Sequence, residues 1–349
     1  MRKEIINGVE YKLPEHLTDD QKDIYVHLIK WKWRNITKEE GLYSKKNKST
    51  GAVSTYEYDA ILPESIQKNY PLIYPPVLQD MLNHKKKFDF KLHKHFNHMA
   101  SSQVANVNLF LPILLNPKAC EVLKQLKSDF KNLATDNLYK GFRIEYWDGN
   151  SNTEKGLLGD HNAHSGTDSD IAIAYYNKEN ELCLWLIEHK LTEKEFTECG
   201  GFKSKGRDKS KHLCEKSFSE IVKDKNLCYY HDVKKCEYWN ITEANKSYFT
   251  NHSNHTLCPF KGGLNQLWRN QLMGFALENT GQYKHIYFSV VHHPKNTQLD
   301  NSIKEYKNLI GNNEIFTSFT SNKVVDAVAK IGDNFLDNWV NWYKDLYNV

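Results

Sequence analysis

Asp170 and, after seventeen intervening residues, the charged triplet Glu188-His189-Lys190 are the residues whose types and spacing suit chemistry. The triplet closes an apolar run, Leu182 to Ile187, and burying charge there is costly unless the charge is paired or holds a metal. Two carboxylates with open coordination positions suit Mg2+, which takes hard oxygen ligands and keeps waters or phosphate oxygens. A metal held by Asp170 and Glu188 would lower the pKa of a bound water, set it in line with a phosphodiester and offset charge developing in the transition state. Lys190 would hold the attacking water and stabilise the phosphorane-like charge.

The elements that must position these groups are a pair of strands. Ile171 to Tyr176 reads as one strand, Asn177 to Glu181 as a turn, and Leu182 to Ile187 as a second strand buried on both faces. With the turn centred near residue 179, Asp170 falls opposite Glu188, and cross-strand Cβ atoms lie about 4.5–5.5 Å apart. Alternation puts Glu188 and Lys190 on one face and His189 on the other, where His189 reads as a packing residue.

Asp170 followed by Glu188-His189-Lys190 resembles the D…(D/E)xK signature of the PD-(D/E)XK nuclease superfamily, in which a mixed sheet flanked by helices carries these residues on a hairpin. Further stretches occur in an order similar to a bacterial group of restriction endonucleases within it: Ser101-Ser102-Gln103 with Asn108-Leu109-Phe110-x-Pro112, Thr167-x-x-Asp170-x-Ala172-x-Ala174-Tyr175, Glu188-x-Lys190-Leu191-Thr192-Glu193, and Gln266-Leu267-Trp268-Arg269-Asn270. The resemblance covers roughly residues 100 to 295. It implies an α/β, restriction-endonuclease-like fold, a Mg2+-dependent endonuclease acting on DNA, and a role in restriction or phage defence. It also implies that Glu145, on the short strand Phe142 to Trp147, and Gln266, on the helix after the Glu-x-Lys strand, support the site. Asp160 and Asp168 are alternative acids, and Gln103 either helps hold the site or belongs with the serines to a helix cap.

Leu264 to Leu277 has the apolar stripe of a helix, with Leu264, Leu267, Trp268, Leu272 and Phe275 on it and Gln266, Arg269 and Asn270 off its centre. Arginine is scarce, occurring only at 2, 34, 143, 207 and 269, so Arg269 is a candidate phosphate contact through its bidentate fork. Asn270 fits a solvated helix face equally well. The strand Ile286 to Val291 returns to the sheet, and His292-His293-Pro294 reads as a structural strand end. A C-terminal stretch with Phe335, Trp339, Trp342 and Leu346 at helical spacing reads as a closing helix.

Five of the seven cysteines, Cys199, Cys214, Cys228, Cys236 and Cys258, fall in an insert over residues 195–260, without a C-x2-C knuckle. The insert is poor in aliphatic residues, and a metal could replace a missing core: Zn2+ or an iron–sulfur cluster on Cys199, Cys228, Cys236 and Cys258, with Cys214 free. Some members of the superfamily carry a four-cysteine iron–sulfur staple; unliganded reduced thiols are the alternative. Cys120 and Cys183 read as core. From Lys190 to Lys235 there are twelve Lys/Arg against eight Asp/Glu, and Lys203, Lys205 and Arg207 are candidate DNA contacts beside the site. A second basic stretch, Lys85 to Phe96, holds five lysines interleaved with aromatics and reads either as a phosphate-facing, DNA-contacting segment or as a solvated helix face or loop; the four histidines nearby have no fixed metal-ligand spacing.

The whole chain of 349 residues carries a net charge of only +4 and 40% hydrophobic residues, which excludes wholesale disorder and gives no partner by charge alone. It divides into an N-terminal helical and irregular region, 1–98, whose clear helix is Asp19 to Trp33, and a nuclease domain, 99–349. No signal peptide or membrane-length apolar run is present, so a soluble cytoplasmic protein with DNA as partner is expected, with a homodimer as one way to cut both strands. Two other readings fit the same residues: a nucleic-acid-binding module that has lost cleavage, or a DNA repair nuclease. A further alternative makes Lys190 and Glu188 a purely structural ion pair.

Overall fold

The computed structural model describes residues 2–46, 50–147, 154–162 and 165–349. Two small hairpins open the chain, β1 (Arg2–Ile6) with β2 (Val9–Leu13) and β3 (Gly41–Lys46) with β4 (Val53–Tyr58), separated by helix α1 (Asp19–Asn35). A capping box starts α1: the Thr18 side chain accepts from Gln21 N, and the Gln21 side chain accepts from Thr18 N. The sequence shows only the helix here. Five of the six residues of β4 are exposed, so no inward and outward alternation marks the strand.

Six strands form the central sheet: β5 (Phe130–Leu133), β6 (Phe142–Tyr146), β7 (Ser169–Asn177), β8 (Leu182–Lys190), β9 (His285–His292) and β10 (Phe316–Thr320). Their order is β10-β9-β8-β7-β5, with β6 also on β7. The pairs β8–β9 and β9–β10 are parallel, while β5, β6 and β8 run antiparallel to β7. This mixed sheet flanked by helices is the α/β architecture the hairpin implies. The helical spacing of Cys120, Val122, Leu123, Leu126 and Phe130 predicts one helix from Pro117 to Leu133, but the helix covers only Ala119–Leu126, because Phe130 to Leu133 pair with β7 and the Phe130 ring stacks on Tyr175 at 5.2 Å.

Alternation along the hairpin feeds two cores. Ile171, Ile173, Tyr175, Cys183, Trp185 and Ile187 face a large core with α1, helix α2 (Ser102–Leu114) and the closing helix Asn334–Tyr347. Ala172, Ala174, Leu184 and Leu186 face a second core with helix α3 (Leu264–Glu278). The N-terminal residues Tyr11, Leu13, Ile24 and Leu28 belong to the large core, so packing is continuous across residue 98. Helix α2 is buried from Gln103 to Leu114. Its Pro112 has no N–H for the Asn108 carbonyl, and that carbonyl instead accepts from the Trp339 indole at 2.7 Å, pinning the closing helix.

The insert between β8 and α3 extends the second core, mainly with rings rather than aliphatic side chains. Phe218, Trp239, Phe249 and Phe260 are buried against Trp268 of α3, and Phe260 stacks on Trp268 with centroids 4.2 Å apart. Among the described residues no helix is long and apolar enough to cross a membrane.

Candidate active site

The hairpin has the register read from the sequence, with Ile171 opposite Ile187 and Ala172 opposite Leu186. Past Ile171 the backbone ladder gives way to side chains. The Ser169 hydroxyl accepts from Ile187 N at 2.9 Å and donates to Ile187 O at 3.0 Å, and Asp170 Oδ2 accepts from His189 N at 2.6 Å. The strands therefore open where the charged residues begin. Asn106 of α2 holds the Asp170 carbonyl at 2.9 Å.

Glu188 and Lys190 are buried, at 5% and 8% exposure, and Lys190 Nζ lies 2.8 Å from Glu188 Oε1. Helix α3 supplies two more donors one turn apart: Gln266 Nε2 to Oε1 at 2.7 Å and Asn270 Nδ2 to Oε2 at 3.0 Å. An i, i+4 pair shares a helix face, which is why both amides reach one carboxylate. Asn270, for which the sequence fits the site and a solvated face equally, is a functional candidate; its spacing from Gln266 is the available signal. Burial opposes the Lys190 charge, but the carboxylates of Glu188, Glu193 and Asp170 hold its pKa above the usual lysine value.

Glu145 lies at the end of β6 with φ of 49°, a left-handed conformation that a non-glycine residue seldom adopts. Burial pushes its carboxyl up to about 8; Gln103 pulls the other way through a hydrogen bond, and the charges of Asp168 and Glu188 push further up. Asp170 is raised as well, by burial and then by Glu188 and Glu145. Several carboxylates thus crowd one ammonium. Ser101 is the N-cap of α2, and Gln103, in the first turn, ties the 91–93 segment by accepting from His93 N at 2.8 Å and donating to Lys91 O at 3.0 Å. A cleft of about 300 Å³ beside Glu145 and Asp168 is lined also by Lys91, Arg143, Trp147 and His161.

The other candidates lie elsewhere. Arg269 donates to Thr167 Oγ1 and Asn265 Oδ1, both at 3.1 Å, and sits 4.0 Å from Asp160. Asp160 also accepts from the Tyr238 hydroxyl at 2.7 Å, so Asp160 joins the insert, and Arg269 joins α3, to the loop before β7. Lys203 pairs with Glu198, Arg207 donates to Cys214 Sγ at 3.3 Å and covers the Phe202 ring, and Lys205 is exposed. His189 turns to the large-core side, where burial and the neighbouring His293 and His292 lower it to about 3. His293 Nε2 is bonded to the Tyr347 carbonyl at 2.7 Å.

Among the described residues, no three His, Cys, Asp or Glu side chains are gathered so as to hold a metal ion. For Mg2+ the requirement is smaller, one or two carboxylates with waters and substrate oxygens filling the rest, and Asp170 and Glu188 meet it with hard donors whose mutual repulsion a cation would relieve. For the thiols, no three among the described residues are gathered so as to hold a metal ion; Cys199, Cys214, Cys228 and Cys258 are electrostatic neighbours of one another, and the Cys236 thiol faces the Gly159 carbonyl at 3.9 Å. The ring core of the insert supplies the packing for which a metal was invoked.

A mixed sheet whose antiparallel hairpin ends in Asp170, Glu188 and Lys190 has the restriction-endonuclease-like form. Residues 26–348 match the family model described as Restriction Endonuclease associating with ARP, and the chain belongs to that family. The match takes in most of the N-terminal region, in keeping with its share of the large core. No curated protein and no solved structure matches the chain.

Proposed function

We propose that this protein is a Mg2+-dependent endonuclease that hydrolyses phosphodiester bonds in DNA, serving restriction or phage defence. The observation that carries this reading is the buried Glu188–Lys190 pair at 2.8 Å, set beside Asp170 where the hairpin opens, in a chain of a restriction endonuclease family. Asp170 and Glu188 would hold the ion. When bound, Mg2+ activates a water and neutralises charge on the scissile phosphate. Gln266 and Asn270 fix the Glu188 carboxylate from two sides, so that its free lone pairs keep one direction. The Lys190 ammonium orients the attacking water and stabilises the negative charge that grows on the phosphoryl oxygens. Glu145 lines the adjoining cleft and, once its own proton has been displaced by the bound cation, its carboxylate would take the proton of that water. Lys91 and Arg143 line the same cleft and suit a polyanion.

The test is cleavage of plasmid DNA by purified protein with Mg2+, comparing wild type with Asp170→Ala, Glu188→Ala and Lys190→Ala, each checked for folding by circular dichroism. Loss of cutting in all three folded variants supports the assignment, and cutting at the wild-type rate in any of them refutes it.

A further inference from the structure

A cavity of about 460 Å³ opens beside the β3–β4 hairpin and α1, at the segment 95–100. Six rings line it: Tyr25, Tyr43, Tyr56, Tyr58, His95 and His98. They are already arranged as stacking surfaces. Tyr43 lies nearly parallel to His95 with centroids 5.7 Å apart and meets Tyr58 edge-on at 5.7 Å, while Tyr25 meets His98 edge-on at 5.6 Å. Tyr43 and Tyr58 are half-buried and Tyr56 is exposed, so the rings do not form a closed core.

The chemistry of the lining is selective. Burial lowers both histidines, His98 to about 3, and Glu15 is the one acidic or basic chain among the remaining lining residues. Such a surface offers no cation to a phosphate or carboxylate. It suits a planar, uncharged heterocycle, which stacks on tyrosine or imidazole faces and bonds to their polar edges.

The cavity and the carboxylate site share structure. Gln103, which bonds Glu145, also holds His93 N and Lys91 O in the segment leading to His95. On the other side, Gln21 of α1 donates to the Thr192 carbonyl at 2.7 Å, two residues past Lys190, and Tyr25, one turn along α1, bonds Thr192 through its hydroxyl. Lys94, exposed beside His95, is available to a strand backbone.

We propose that this cavity receives one unstacked nucleobase of the DNA strand that passes the Asp170–Glu188–Lys190 site. The proposal rests on the nuclease reading for its substrate. The experiment is ultraviolet cross-linking of the full chain, in EDTA, to a random-sequence duplex carrying 5-iododeoxyuridine, followed by peptide mapping. Adducts on Tyr43, Tyr56 or Tyr58 are expected, with yield falling about tenfold in Tyr43→Ala and Tyr58→Ala, as for loss of a base-stacking ring, and surviving in Tyr43→Phe and Tyr58→Phe. Adducts only outside the cavity, no adducts at all, or a yield unchanged by the alanine variants overturn the proposal. Free 5-iododeoxyuridine monophosphate is the second arm. Labelling of the cavity by the free nucleotide that unlabelled duplex does not compete away also overturns it, because the occupant is then not a strand. Plasmid cleavage separates the two readings: cutting without cavity adducts removes this proposal alone, and cavity adducts without cutting remove the nuclease reading alone.

Discussion

Replacing Lys190 by methionine keeps most of the side-chain bulk and removes the ammonium that balances Glu188. Both partners are nearly inaccessible, and their polar atoms are 2.8 Å apart. Removing one member of a buried pair costs about 3–5 kcal/mol. Gln266 and Asn270 still donate to the stranded carboxylate, and hydrogen bonds to charge contribute about 1.5–3 kcal/mol each, so the loss in Lys190→Met falls near the lower end, about 3 kcal/mol. In a chain of this size each kcal/mol moves Tm by about 2 °C, which gives a fall of about 6 °C in a thermal melt at neutral pH without Mg2+. The double variant Glu188→Gln/Lys190→Met removes both charges at similar volume. It is expected to return to within about 1 kcal/mol of wild type, because replacing a whole buried pair is close to neutral. Neither variant should cut DNA. A single variant within about 0.5 kcal/mol of wild type, or a double variant as unstable as the single, would refute the idea that Lys190 compensates Glu188.

The raised carboxyls give a pH dependence with a definite sign. Glu145 is raised to about 8, so the stability it contributes without metal is complete below about pH 4.5 and is lost as pH rises through about 8; Asp170, raised as well, adds a loss of the same sign as pH rises. Mg2+ must displace these protons, so its affinity should climb across that window, and calorimetry in buffers of different ionisation enthalpy at neutral pH should detect proton release; zero release counts against the crowded-carboxylate picture. Gln266→Ala and Asn270→Ala each remove one donor to Glu188 and should slow cleavage by about 10- to 100-fold, the equivalent of a charged hydrogen bond, with rates at saturating Mg2+ as the readout. Phe260→Ala, which empties the stack on Trp268, should cost about 3–5 kcal/mol in a urea melt, whereas a metal-held insert would be far more sensitive to chelator than to this change.

How legible the molecule was depends on where burial leaves a mark. The β7–β8 hairpin was readable because both strands are apolar and a polar turn lies between them, and the turn alone set Ile171 opposite Ile187. Helix α3 was readable from its stripe, and Gln266 from its place on it. Strands β1 to β4 were not, since most of their side chains face outward and a short exposed strand has no period to detect. Phe130 and Leu133 fit a helical spacing as well as a strand, and pairing with β7 decided between them. The insert looked coreless because aliphatic residues were counted, whereas Phe218, Trp239, Phe249 and Phe260 do the packing. Asn270 needed knowledge of which face of α3 meets Glu188, and the left-handed φ of Glu145 has no sequence signature at a glutamate.

The most direct measurement of the central claim is the conversion of supercoiled plasmid to nicked and linear forms by wild-type protein and by folded Asp170→Ala, each with Mg2+ and with EDTA. Nicked or linear product from the wild type with Mg2+ alone is the predicted result. Equal cutting by Asp170→Ala, or cutting by the wild type in EDTA, contradicts it.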